Sequence, residues 1–140
     1  MYLYENDFYG WTQQQAKLLR NKQLEQIDWE NLAEEIADMG RSEKRELGSR
    51  LEILIMHLLK WQFQPSFRSR SWQLTIKEQR LRLEKLLAEN PSLKSSLEDV
   101  KLTSYSLGVI NAEKETGLSS FPATCPYSLQ EILNPAFFPE

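Results

Sequence analysis

Cysteine occurs once in these 140 residues, and so does histidine. One thiol excludes an intramolecular disulfide. Cys125 lies in PATCPY with no histidine nearby, so it reads as an incidental or buried thiol rather than a nucleophile. One histidine also breaks the ferritin-like di-metal pattern, which needs a Glu-x-x-His pair on each of two helices. Long apolar runs are missing: the longest, Ile53–Met56, falls far short of the roughly 20 residues of a membrane span. The aromatic, acidic start MYLYENDFYGW is unlike a signal peptide. A cytoplasmic protein without membrane attachment is expected. No Gly-rich phosphate loop, Cys/His cluster or Ser/His/Asp arrangement is present, and no cofactor is expected. Strand-like alternation and internal repeats are absent too.

Strong net charge is also lacking. The value of -3 argues against a general polyanion binder. Its distribution is uneven. Residues 1–40 carry eight acids and three bases, residues 41–90 eleven bases and six acids, and residues 91–140 three bases and six acids. Neighbouring helices could neutralise one another, or the basic middle could present a face to an anionic ligand.

What is present is helical periodicity, and it predicts an all-α bundle of about five helices. The first runs from the N-cap Asp7 to about Asn21, and the second from the N-cap Asp28 to Gly40. Trp29, Leu32, Ala33, Ile36, Ala37 and Met39 form the second helix's apolar stripe, with Glu30, Glu34 and Asp38 opposite and Glu35 at the border. The third runs from near Ser42 to about Gln64, before Pro65, with the stripe Leu47, Leu51, Leu54, Leu58 and Trp61. It is apolar on most sides, so it is expected to be central. The fourth, capped by Ser71, runs from Trp72 to about Glu89 and has two apolar stripes. One contains Ile76, Leu83 and Leu86; the other is Leu74, Leu81 and Ala88. The fifth starts at Asn90-Pro91 and ends before Gly117, with Leu97, Val100, Ser104 and Leu107 inward and a weak point at Gly108. Prolines at 122, 126, 135 and 139 predict an extended tail with one short helix from Ser128 to about Leu133. The expected organisation is a single domain, 1–140, with a bundle over 1–117 and a tail over 118–140 packed on its outside.

Three groups could carry chemistry. Glu46, Arg50, His57 and Gln64 form one polar strip beside the core stripe of the third helix. Glu35 is the natural partner for Arg50 or His57 in a structural pairing. The alternative is that Arg50 and His57 are catalytic, since an Arg and a His so spaced on a helix are similar to the active-site motif of HEPN-type ribonucleases. That resemblance implies proton transfer by the histidine and phosphate support by the arginine. Leu51 departs from it, because a polar residue usually follows the arginine there. Second, Glu34, Glu35 and Asp38 could hold a hard metal ion, although acids at this spacing usually form a solvated face. Third, Arg68, Arg70, Trp72 and Arg80 combine positive charge with an aromatic ring, which suits an anionic ligand or single-stranded nucleic acid. Salt bridges to the acidic second helix explain that group more simply, so nucleic acid is not favoured.

Five long segments, LYENDFYGWTQQQAKLLR, IDWENLAEEIADMGRSEKR, SRLEILIMHLLKWQFQP, RSRSWQLTIKEQR and CPYSLQEILNPAFFPE, resemble a bacterial family labelled domain of unknown function twenty-nine, over nearly the whole chain. The resemblance implies a small, mostly helical cytoplasmic protein and supplies no catalytic residues. The leading expectation is therefore a non-catalytic helical interaction module. It would form a homodimer through Leu74, Leu81 and Ala88 of the fourth helix or bind a protein partner.

Overall fold

The computed structural model describes residues 3–140. The described residues contain no strand and six α-helices: α1 (Leu3–Asn6), α2 (Phe8–Arg20), α3 (Trp29–Phe63), α4 (Arg70–Glu89), α5 (Leu97–Thr116) and α6 (Leu129–Leu133). They group into two compact units, Met1–Ser42 and Glu43–Glu140.

In the first unit, the Asp7 side chain caps α2 by accepting from the Gly10 amide at 3.0 Å. A Cβ at position 10 would collide with that carboxylate, so glycine permits the cap. Trp11, Leu18 and Ile27 are buried. Two polar ties then hold α2 to the start of α3. Trp11 Nε1 donates to Asp28 Oδ2 at 3.0 Å, and the Asp28 amide donates to Gln15 Oε1 at 2.9 Å. Hydrogen bonds from Asn31 and Trp11 hold the Asp28 carboxyl below the usual carboxylate range.

The second and third predicted helices are one. α3 runs unbroken for 35 residues through Gly40 and Ser42. Gly40 resembles a stop and Ser42 a start, but neither breaks a helix outright. An interior glycine costs only about 1 kcal/mol relative to alanine. The apolar stripe expected to be core at Trp29, Ile36 and Met39 is largely exposed.

In the second unit the carboxy half of α3 is the centre of the core. Leu47, Leu51, Leu54, Ile55, Leu58 and Leu59 are all fully buried. α4 begins at Arg70, because Ser69 rather than Ser71 caps it by accepting from the Trp72 amide at 3.2 Å. It buries Ile76, Leu83, Leu86 and Leu87. Asn90-Pro91 opens a 3₁₀ turn over Pro91–Ser96, and α5 follows from Leu97.

The inner face of α5 matches the predicted stripe in part. Leu97 and Ser104 are buried as expected, Tyr105, Gly108 and Ala112 are buried with them, and Leu107 is exposed. Gly108 marks no break. A Cβ there would lie 3.3 Å from the Glu52 carbonyl oxygen, so glycine lets α5 approach the α3 backbone closely. The Ser104 hydroxyl donates to the Gly48 carbonyl at 3.0 Å along the same seam.

The tail is extended apart from α6, whose Ser128–Glu131 capping box is complete. Tyr127 and Ile132 are buried in the core, and Phe138 and Phe121 pack on Trp61 and Phe63. No described helix is long and apolar enough to cross a membrane.

Candidate functional site

The outer stripe of α4 and the end of the tail form a half-open groove of about 450 Å³. Leu133 and Phe138 contribute apolar surface to it, with the buried Ile76 behind. Leu74 and Leu81, two turns apart on α4, are 47% and 57% exposed. Arg70, Lys77 and Glu84 line the same groove. Spaced by seven on α4, they set two exposed cations and one acid along one edge of the apolar slot.

Arg80 holds the wall in place. Its guanidinium is buried and donates to the carbonyls of Ile132, Pro135 and Glu131, at 2.8, 3.4 and 3.4 Å. It also lies over the Phe138 ring, 5.5 Å from the ring centre. Burial lowers its pKa to about 10, so it remains cationic at neutral pH. The Ile132 carbonyl lies at the end of a short helix, where orphan acceptors are costly, and Arg80 satisfies it.

The four residues expected to bind an anion are thus divided among different roles. Arg70 lines the groove, while Arg80 is occupied by tail carbonyls. Arg68 donates to the Trp61 carbonyl at 2.8 Å and lies over the Trp61 ring. Trp72 is half-buried beneath Lys60, whose ammonium also pairs with Glu115 at 3.1 Å. Leu74 and Leu81 stand in the groove, and Ala88 is exposed farther along α4.

The polar strip of α3 is satisfied locally. Arg50 pairs with Glu46 at 3.6 Å, and His57 Nδ1 lies 2.8 Å from the Ile53 carbonyl on its own helix. Desolvation pushes the His57 pKa below 6.5, and the nearby Lys60 pushes the same way; the bond to Ile53 and the Glu115 charge oppose it. Glu35 is not the carboxylate opposite His57 or Arg50. It belongs to the same helix and accepts from the Tyr4 hydroxyl, which raises the Tyr4 pKa to about 12.

Glu34, Glu35 and Asp38 do not converge on a metal position. Glu34 and Asp38 pair with Arg41, and Glu35 is taken by Tyr4. Among the described residues no group of three His, Cys, Asp or Glu side chains is arranged to hold a metal ion. Cys125 is a half-buried free thiol, and burial raises its pKa, which favours the unreactive protonated form.

In the sequence, the period-seven spacing of Leu74 and Leu81 marks one side of the groove. Lys77 as a lining residue and the far wall, Leu133, Pro135 and Phe138, were not expected from it. No local signal marks that wall, because it depends on a tail that returns about fifty residues later.

Neither a curated protein nor a solved structure shows a significant match to the chain. A family model described as "Domain of unknown function DUF29" matches residues 3–138. The chain belongs to that family.

Proposed function

We propose that the protein is a non-catalytic helical interaction module whose α4–tail groove receives an acidic amphipathic segment of a partner protein. The carrying observation is the pair of exposed leucines, Leu74 and Leu81, in a slot that also carries Arg70 and Lys77. Large exposed apolar side chains gathered in a groove are a feature of docking surfaces. Leucines two turns apart match the anchor spacing of a helix laid in a groove, and the two cations favour acidic flanks on it. The slot's volume suits a few side chains rather than a folded domain. The residues a catalytic reading would use support the same conclusion. His57 is bound to its own helix with lowered basicity, and Arg50 is paired with Glu46.

The test uses a designed amphipathic peptide of about 15 residues, with leucines at helical spacing and glutamates elsewhere, and a lysine counterpart. Methyl NMR should show the Leu74, Leu81 and Leu133 signals moving with the acidic peptide and much less with the basic one. Leu81→Glu should suppress the response. Equal responses to both peptides, or shifts elsewhere only, would contradict the reading. So would movement of these methyls on concentrating the protein alone, which would make a second copy the occupant.

A further inference from the structure

The first unit holds a smaller concavity of about 240 Å³, formed by α1, α2 and the chain leading into α3. Tyr4, Glu5, Trp11, Gln15 and Asp28 are among the residues that line it. Its charge is one-sided. Glu5 and Asp28 supply two carboxylates, and among the described residues no Lys or Arg lines it. Asn31 and Trp11 donate to the Asp28 carboxylate and keep it ionised, yet both donors are neutral. Neither Glu5 nor Asp28 forms an ion pair among the described residues. A concavity lined by one sign of charge concentrates ions of the other sign.

Gln15 makes a second, independent demand. It is only 4% exposed. The Asp28 amide donates to its Oε1 at 2.9 Å, which fixes the way the carboxamide faces. Its Nε2 has no acceptor among the described residues and is not sealed in the interior, so it faces the concavity that Gln15 lines. A nearly buried donor without an acceptor is costly.

The two demands select the chemistry of an occupant. It must carry positive charge for the carboxylates and an acceptor for Gln15. A bare metal ion offers no acceptor, and a guanidinium has five donors and none. A free amino acid would bring a third carboxylate beside two others, where like charges repel. An ammonium next to an uncharged carbonyl meets both demands. We infer that this concavity binds an α-amino carbonyl group, a protonated amine beside an amide, as carried by a peptide's amino terminus or by a small amino amide. The amine lies against Glu5 and Asp28, and the carbonyl accepts from Gln15 Nε2. Capture of amino termini is a known mode of peptide recognition. The inference does not rest on the α4 groove.

Glycinamide titrated into the full chain at neutral pH tests it. The readout is the Trp11 indole N–H signal in NMR, because that group donates to Asp28. A saturating shift is expected, with a Kd of roughly 1 mM for so small a ligand. N-acetylglycinamide lacks the charge and ethylamine lacks the carbonyl, so each should bind at least about fivefold more weakly. Glu5→Gln, at an exposed position, should weaken glycinamide binding about threefold with the circular dichroism spectrum unchanged. Asp28→Asn should weaken it further; if that variant does not fold, the ligand series and Glu5→Gln still decide. No saturating shift by about 20 mM overturns the inference, as does equal binding of glycinamide and either analogue. Triglycinamide separates the two sources. Binding as tight as that of glycinamide supports a peptide's amino terminus, and its exclusion supports a small amino amide.

Discussion

In the amino half of α3, Ile36 and Met39 stand in the open; in the carboxy half, Leu47, Leu51, Leu54 and Leu58 are sealed. The two halves follow one pattern. Eighteen residues make about five turns, so the sequence repeats its apolar positions in helical register, Ile36 with Leu54 and Trp29 with Leu47. What differs is the covering. The carboxy half belongs to a core with α4, α5 and the tail, whereas α1 and α2 bind the amino half through Tyr4 and Trp11 on its polar flank. An apolar stripe therefore specifies that a face is to be covered, but not by what. Within one helix the same stripe is finished by its own chain in one half and left bare in the other.

That contrast breaks most directly by truncation. Leu54→Ala should cost about 3 kcal/mol in urea unfolding, since a fully buried leucine loses both transfer energy and packing. Ile36→Ala at dilute concentration should stay within about 0.5 kcal/mol. Equal losses would mean that the bare half is packed against something within the monomer.

The glycines sharpen the same contrast with opposite signs. Gly108→Val should destabilise by about 2 kcal/mol, because its side chain would press on the Glu52 carbonyl and the α3 backbone. Gly40→Ala should stabilise the dilute monomer by up to about 1 kcal/mol through helix propensity alone. Thermal melts of the two variants check both.

The pH effect is smaller. His57 lies in the buried half, and desolvation holds its folded pKa below the unfolded 6.5. The unfolded chain then binds more protons as the medium is acidified. This histidine's contribution is complete above the unfolded pKa and is lost as pH falls through about 6.5 toward the folded value. Of the charges beside it, Lys60 adds to the lowering and Glu115 opposes it. His57→Gln should flatten this part of the stability–pH curve between about pH 7 and 5, read by urea titration at each pH. The smallest effect belongs to the bare half: Arg41→Ala should cost no more than about 0.5 kcal/mol, because its ion pairs are exposed.

Much of this was legible in the sequence. The Leu47–Leu58 stripe, the Asp7 cap, the end of α5 at Gly117 and the proline-rich tail with its short helix all follow from local signals. The fusion of two predicted helices was missed because Gly40 and Ser42 imitate a stop and a start. The better signal is the apolar spacing itself, which stays in helical register from Trp29 to Leu58. The face of α5 was misread because leucines were weighted over small residues, and Gly108 and Ala112 point inward where the helices come close. Arg80 was read as a ligand-binding residue, and its role at the tail carbonyls depends on a contact more than fifty positions distant. The groove was half legible for the same reason.

The most direct measurement follows the Ile36 and Leu54 methyl signals in one dilute sample as a soluble paramagnetic agent is added. Ile36 is predicted to broaden strongly while Leu54 stays sharp, because one side chain is exposed and the other fully buried. Equal broadening of the two would contradict the account.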